Sequence, residues 1–235
     1  MGGGTAPKEY IKMAEERSNK KLFEKEDLER DILRELKIDE EVLNIYPYGS
    51  QVYETADEYS DHDYIIVTKS AFLKSKDEDD AIGGFKNNAI SNEDYTIQGV
   101  LYSRTGFIDA INNYDITALE CLFLPNEMVI QKRWPFKIQR FDEKEMAKNI
   151  IKKISNSWHI ADIQAKDNQK DRAKKGIFHS LRILHFALQL KEYQKIVNFQ
   201  ECNDLKKEIN AFKDECFDTR YFLKERNRLM KKLRE

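Results

Sequence analysis

The sequence predicts an α/β fold, α+β in its segregation, with a small mixed sheet first and a helical domain after it. Two observations carry that prediction. Short β-branched and aromatic runs fall almost entirely before residue 132, whereas from Asp142 onward apolar residues return every three or four positions. The charge divides at nearly the same place. Residues 144–235 hold 22 basic and 13 acidic residues and residues 1–143 hold 18 and 29, so a chain of net charge −2 joins an acidic half (−11) to a basic half (+9). An acidic half suits a cation site and a basic half suits phosphate or nucleic acid, although solvated helix faces produce the same imbalance.

The 235 residues, 40% of them hydrophobic, suffice for one large or two small domains. The pattern divides them into a helical segment over 1–36, a sheet domain over 37–141 and a helical domain over 142–235. From Pro7 to Leu36, Lys and Glu surround apolar residues at mostly three- and four-residue intervals, which reads as one or two amphipathic helices. Leu43–Tyr48, ended by Gly49-Ser50, and Tyr64–Thr68, ended by Lys69-Ser70, read as buried strands, and Tyr95–Tyr102 as a third. Phe72–Glu93, with its Lys, Asp, Asn and Gly83-Gly84, reads as a surface excursion. Ser103 is placed to cap a helix through Asn112, and Asp115 to cap another through Phe123, stopped by Pro125. Glu127–Gln131 is a further strand candidate. Helices are then predicted over 143–169, 171–192, 201–215 and 218–235, with a strand candidate only at Ile196–Phe199.

No run of about 18 apolar residues occurs, because His179, Ser180, Arg182, His185 and Gln189 interrupt the oiliest stretch, Ile177–Leu190. Membrane spans are therefore not expected. Cys121, Cys202 and Cys216 are odd in number and lack the paired short spacing of zinc sites, so reduced thiols are expected. The opening Met1–Ala6 has no apolar segment of the signal-peptide kind, and an intracellular, cytoplasmic location is the expectation.

The chemistry concentrates in Tyr46–Tyr53 and Ser60–Val67. A strand ends in Gly49-Ser50, where glycine admits the backbone to a phosphate, the following turn offers amide donors, and the Ser50 hydroxyl adds another. Asp61 and Asp63, separated by one residue on what should be the next strand, leave the same face. Two unpaired carboxylates side by side repel, and Mg²⁺ relieves the conflict by taking oxygen ligands from both. His62 between them points the other way and is not expected to be a ligand.

This arrangement resembles the nucleotidyltransferase superfamily of DNA polymerase beta, whose signature is an apolar residue, Gly-Ser, about ten residues, then Asp-x-Asp entering an apolar strand. Here Gln51–Ser60 are the intervening ten. Tyr102-Ser103-Arg104-Thr105-Gly106-Phe107, Leu119–Pro125 and Lys174–Arg182 are similar to a minimal branch of that superfamily, so the likeness spans about 45–190.

The resemblance implies a nucleoside triphosphate as substrate, Mg²⁺ or Mn²⁺ as cofactor, Asp61 and Asp63 as metal ligands, and Gly49 and Ser50 holding the β- and γ-phosphates. An acceptor hydroxyl would attack the α-phosphate and pyrophosphate would leave. RNA or another nucleic acid is the first acceptor expected from the basic half, with a protein side chain or small molecule next. The departure is at the third carboxylate, where counting back from Tyr102 places Gln98. Asp94 shares its parity and is the substitute ligand if the register differs; otherwise a weak enzyme or a catalytically lapsed nucleotide binder is implied. Lys175, His179 and Arg182, at i, i+4 and i+7, form a stripe that either meets the nucleotide or is a solvated face. The basic stretch Lys224–Arg234 either tracks a nucleic-acid backbone or is a solvated helix, and His185 is expected in the core or against a partner.

Overall fold

The computed structural model of the protein describes residues 25–56, 60–70, 88–94 and 96–235. Within them the first element is a helix over 25–35 (α1), closed by a left-handed Lys37 (φ 55°) and a bond from the Ile38 amide to the Leu33 carbonyl (2.9 Å). The predicted helix before residue 25 lies outside the described residues.

Five strands follow: β1 (Val42–Tyr48), β2 (His62–Thr68), β3 (Asn88–Ser91), β4 (Ile97–Ser103) and β5 (Gln131–Lys132). They form one mixed sheet in the order β3-β4-β2-β1-β5, in which only β2 and β4 are parallel. Strand β3 falls in the stretch read as a surface excursion. Four short residues without an apolar run leave no period to detect, and the hydrogen-bonded edge of β4 is what makes them a strand. The strand expected over Glu127–Gln131 contracts to β5, which pairs with Asn44 and Ile45.

Helices α2 (Arg104–Asn112) and α3 (Ile116–Phe123) start at the two expected caps. The Ser103 hydroxyl accepts from the Gly106 amide (2.9 Å), and the Asp115 carboxylate from those of Thr117 (3.0 Å) and Ala118 (3.3 Å). The helical part comprises α4 (Glu143–Lys166), α5 (Lys170–Tyr193), α6 (Asn203–Ala211) and α7 (Leu223–Arg234). Ile196–Phe199 is not a strand. Its apolar ends, Ile196 and Phe199, are buried against the helices, and the Gln189 carboxamide oxygen accepts from the amides of Val197 and Asn198 where a partner strand would.

Strand parity sorts the core. Tyr64, Ile66 and Leu101 face a small cluster that α1 covers through Ile32 and Leu36. Ile65, Val67, Tyr46 and Tyr102 face the opposite way, into a larger cluster that runs through α2 and α3 and on into α4, α5 and α7. That second face is the one toward which the parity of Asp63 and Gln98 directs them, and Asp61 stands one residue before β2. Among the described residues no helix is long and apolar enough to cross a membrane.

Candidate functional site

Gly49 terminates β1 with φ +71°, a left-handed conformation that only glycine adopts without cost, and a three-residue 3₁₀ turn, Gly49–Gln51, follows. A turn so short has little axial dipole, so what it offers is local: the free amides of a first turn and the Ser50 hydroxyl, which makes no hydrogen bond among the described residues. Gly49 is also a contact. A Cβ built on it would lie 2.5 Å from Asp63 Oδ2, so the carboxylate rests directly against the glycine.

Tyr48 pairs with Asp63 across β1 and β2, and Asp63 pairs with Gln98 across β2 and β4, which sets Gln98 beside the two acids. Its amide nitrogen donates to Asp61 Oδ2 (3.1 Å). Burial first and the charge of Asp61 second push the Asp63 carboxyl above its usual range. Asp94 does not join them. It is exposed in the turn between β3 and β4, because β4 begins only at Ile97 and parity extended back to 94 runs off the strand. Among the described residues no group of three His, Cys, Asp or Glu is gathered to hold a metal ion. Two carboxylates and an amide do fit one Mg²⁺, which typically takes one or two protein carboxylates and completes its shell with water and phosphate. His62 is exposed.

Beyond Gly49 and Ser50 opens a cleft of about 600 Å³ between the end of β1 and the helices, of a size usual for small-molecule sites. The structure brings Lys175, His179 and Arg182 to its wall, so the stripe read from the sequence faces the cleft rather than bulk solvent. Their surroundings differ. Lys175 is exposed and has no partner among the described residues. Arg182 is only 6% exposed, its guanidinium lying 3.7 Å from the centre of the Tyr53 ring and donating to His179 Nδ1 (3.0 Å). Because arginine can only donate, His179 Nδ1 must accept, which leaves the proton on Nε2. Tyr53 in turn donates to Glu120 Oε2, and burial raises the Glu120 carboxyl against the pull of Arg182.

Burial, aided by the positive charges of Arg182 and Lys153, pushes the His179 imidazole down to about 3, so it is neutral at physiological pH. The stability consequence has a definite sign. The unfolded histidine titrates near 6.5, so stability present above that pH is lost as pH falls toward about 3, with a slope of at most ~1.4 kcal/mol per pH unit. Urea unfolding of His179→Gln, which keeps an acceptor for Arg182, is expected to show a shallower loss between pH 7 and pH 5 than the parent. Equal slopes would refute the assignment.

Sequence reasoning passed over the frame around these groups. Tyr53 and Glu120 both lie within segments singled out earlier, but nothing in their spacing shows that they meet. The loop after the Gly49 turn is held by the helical part: Gln200 donates to the Val52 carbonyl (3.4 Å), Asn203 to that of Tyr53 (2.9 Å) and Lys206 to that of Thr55 (3.1 Å). His185 sits apart from the cleft with Nδ1 3.1 Å from Glu201 Oε1. The basic residues of α7 include Arg228, paired with Glu225.

A search of solved structures matches a nucleotidyltransferase-like protein from Exiguobacterium sibiricum, 13% identical over 86% of this chain and 73% of that one, with a TM-score of 0.34. Neither a protein-family model nor a curated protein matches the chain.

Proposed function

We propose that the protein is a metal-dependent nucleotidyltransferase that moves a nucleoside monophosphate from a nucleoside triphosphate to an acceptor hydroxyl. The observation that carries this reading is the contact of Asp63 with the left-handed Gly49, which couples the paired carboxylates to a phosphate-sized turn at the mouth of a cationic cleft. Asp61 and Asp63 would hold Mg²⁺ or Mn²⁺. Bound there, the ion supplies charge neutralisation for the polyphosphate. The chain's own groups bind and orient: Gly49 admits a phosphate to the backbone, the Ser50 hydroxyl and His179 Nε2 donate, and Lys175 contributes a charge not already paired. Arg182, buried under His179, fixes that ring and adds positive potential from below, so the direct phosphate contact expected of it passes to His179 and Lys175. Transfer itself is in-line displacement: the acceptor hydroxyl gives up its proton to solvent and its oxygen bonds to the α-phosphorus as the bond to the pyrophosphate oxygen breaks. RNA or another nucleic acid is the favoured acceptor class, on the +9 charge of residues 144–235; a protein or small molecule is second.

One observation favours a second reading, a catalytically lapsed nucleotide binder. Gln98 occupies the place beside Asp63 and spends its amide on Asp61, so the site carries one carboxylate fewer than two-ion chemistry uses. Incubation with each labelled nucleoside triphosphate, Mn²⁺ or Mg²⁺ and mixed RNA decides. Label transfer by the parent, raised roughly tenfold or more in Gln98→Asp, is the expected result. Nucleotide binding without transfer in either protein supports the lapsed binder, and no nucleotide binding ends both readings.

A further inference from the structure

The cleft has two walls of different chemistry. On the α5 side stand Lys175 and His179, in the cleft that Gly49 and Ser50 also line. On the α4 side stand Ser157, Ile160 and Gln164, at i, i+3 and i+7 of one helix face, with no charge among them. Neither the Ser157 hydroxyl nor the Gln164 carboxamide has a hydrogen-bond partner among the described residues, whereas Ser155, two positions away, bonds back to the Ile151 carbonyl (2.8 Å). Ile160 is 54% exposed, a large apolar side chain left open to water at the cleft. The two helices close on each other immediately below. A Cβ built on Gly176 would lie 3.0 Å from the Ala161 Cβ and 3.9 Å from Gln164 Oε1, so the glycine admits α4 and sets the Gln164 amide at the cleft edge.

We propose that this α4 wall recognises the nucleoside part of the nucleotide, with Ile160 against the face of the base and Gln164 reading its edge. This rests on the nucleotide reading above and deepens it, by making Gln164 a specificity-determining residue. The chemistry matches at both ends. A base presents a flat, weakly hydrated face that an aliphatic side chain covers, and an edge with adjacent donor and acceptor atoms, which a carboxamide complements with its own acceptor and donor. The phosphates then lie toward Gly49, Ser50 and Lys175.

Inorganic tripolyphosphate separates the two claims, because it carries the phosphates and no base. Its affinity and those of the four nucleoside triphosphates are measured by calorimetry with the full chain in Mg²⁺. The expected result is that at least one nucleotide binds about tenfold tighter than tripolyphosphate, and that Gln164→Leu removes most of the spread among the four while leaving tripolyphosphate within about twofold. Gln164→Glu, which keeps the shape but loses the donor, is expected to change which nucleotide binds best. Lys175→Ala weakens tripolyphosphate and nucleotides alike. If nucleotides bind no tighter than tripolyphosphate, or if Gln164→Leu weakens tripolyphosphate as much as the nucleotides, the proposed wall is wrong and the phosphate site stands. If nothing binds, the proposed function fails, and this inference with it.

Discussion

Asp63→Asn is expected to abolish nucleotide transfer, by about 100-fold or more, while making the metal-free protein slightly more stable at pH 7. The second half of that result follows from the sign of the titration. Burial and the neighbouring Asp61 raise the Asp63 carboxyl above its ordinary 3.8, so the folded chain holds that proton more tightly than the unfolded one. Stability therefore falls as pH rises through the window from 3.8 to the raised folded value, and the penalty is fully present at neutral pH. Asparagine keeps the shape and removes the charge. Because the group is half-open to water the gain is small, about 2 °C in melting temperature. A divalent cation relieves the same conflict in the parent, so Mg²⁺ or Mn²⁺ should raise the parent's melting temperature and leave Asp63→Asn unmoved. Equal stabilisation of both proteins by the cation would remove the carboxylate pair from the metal site.

Gly49→Ala should be as damaging to activity and, unlike Asp63→Asn, should cost stability. An L-residue at φ +71° is strained by roughly 1–2 kcal/mol, and its Cβ would stand 2.5 Å from Asp63 Oδ2, well inside contact distance. The carboxylate must swing away, so the turn and the metal ligand are lost together. The expected cost is about 1–3 kcal/mol in urea unfolding, with loss of the cation-induced rise in melting temperature. A double-mutant cycle tests the cause. Asp63→Ala removes the obstructing oxygen, so the double variant should be more stable than the sum of the two single effects allows, and simple additivity would show that the two positions are not in contact.

Much of this was legible in residue order because it depends on neighbours a few positions away. Ser103 and Asp115 cap helices through their own side chains, the period-two side-chain direction of the strand through Tyr64–Val67 sets the facing of Asp63, and Gly49 announces a backbone conformation other residues avoid. The position of Gln98 on its strand came from counting back from Tyr102 as the resemblance implies, whereas its place beside Asp63 is set by the pairing of β4 with β2. Asp94 shows where such counting stops: parity carries meaning only within a strand, and the turn before Ile97 cancels it.

The remainder could be settled only by packing. Strand β3 exists because an edge of β4 is free to pair, and Ile196–Phe199 fails as a strand because its apolar ends have helices to bury against. The string Tyr53, Glu120, Arg182 and His179 joins residues from three separate elements, 67 positions apart in the case of Tyr53 and Glu120. Which of them meet is decided by the volume left when α5 closes on the sheet, and the depressed imidazole of His179 is a product of that burial. Local order thus came from short-range sterics and hydrogen bonding, which a sequence carries openly. The cleft, its two unlike walls and the protonation states within it came from desolvation and from which distant side chains were pressed together, quantities that exist only once the chain has folded.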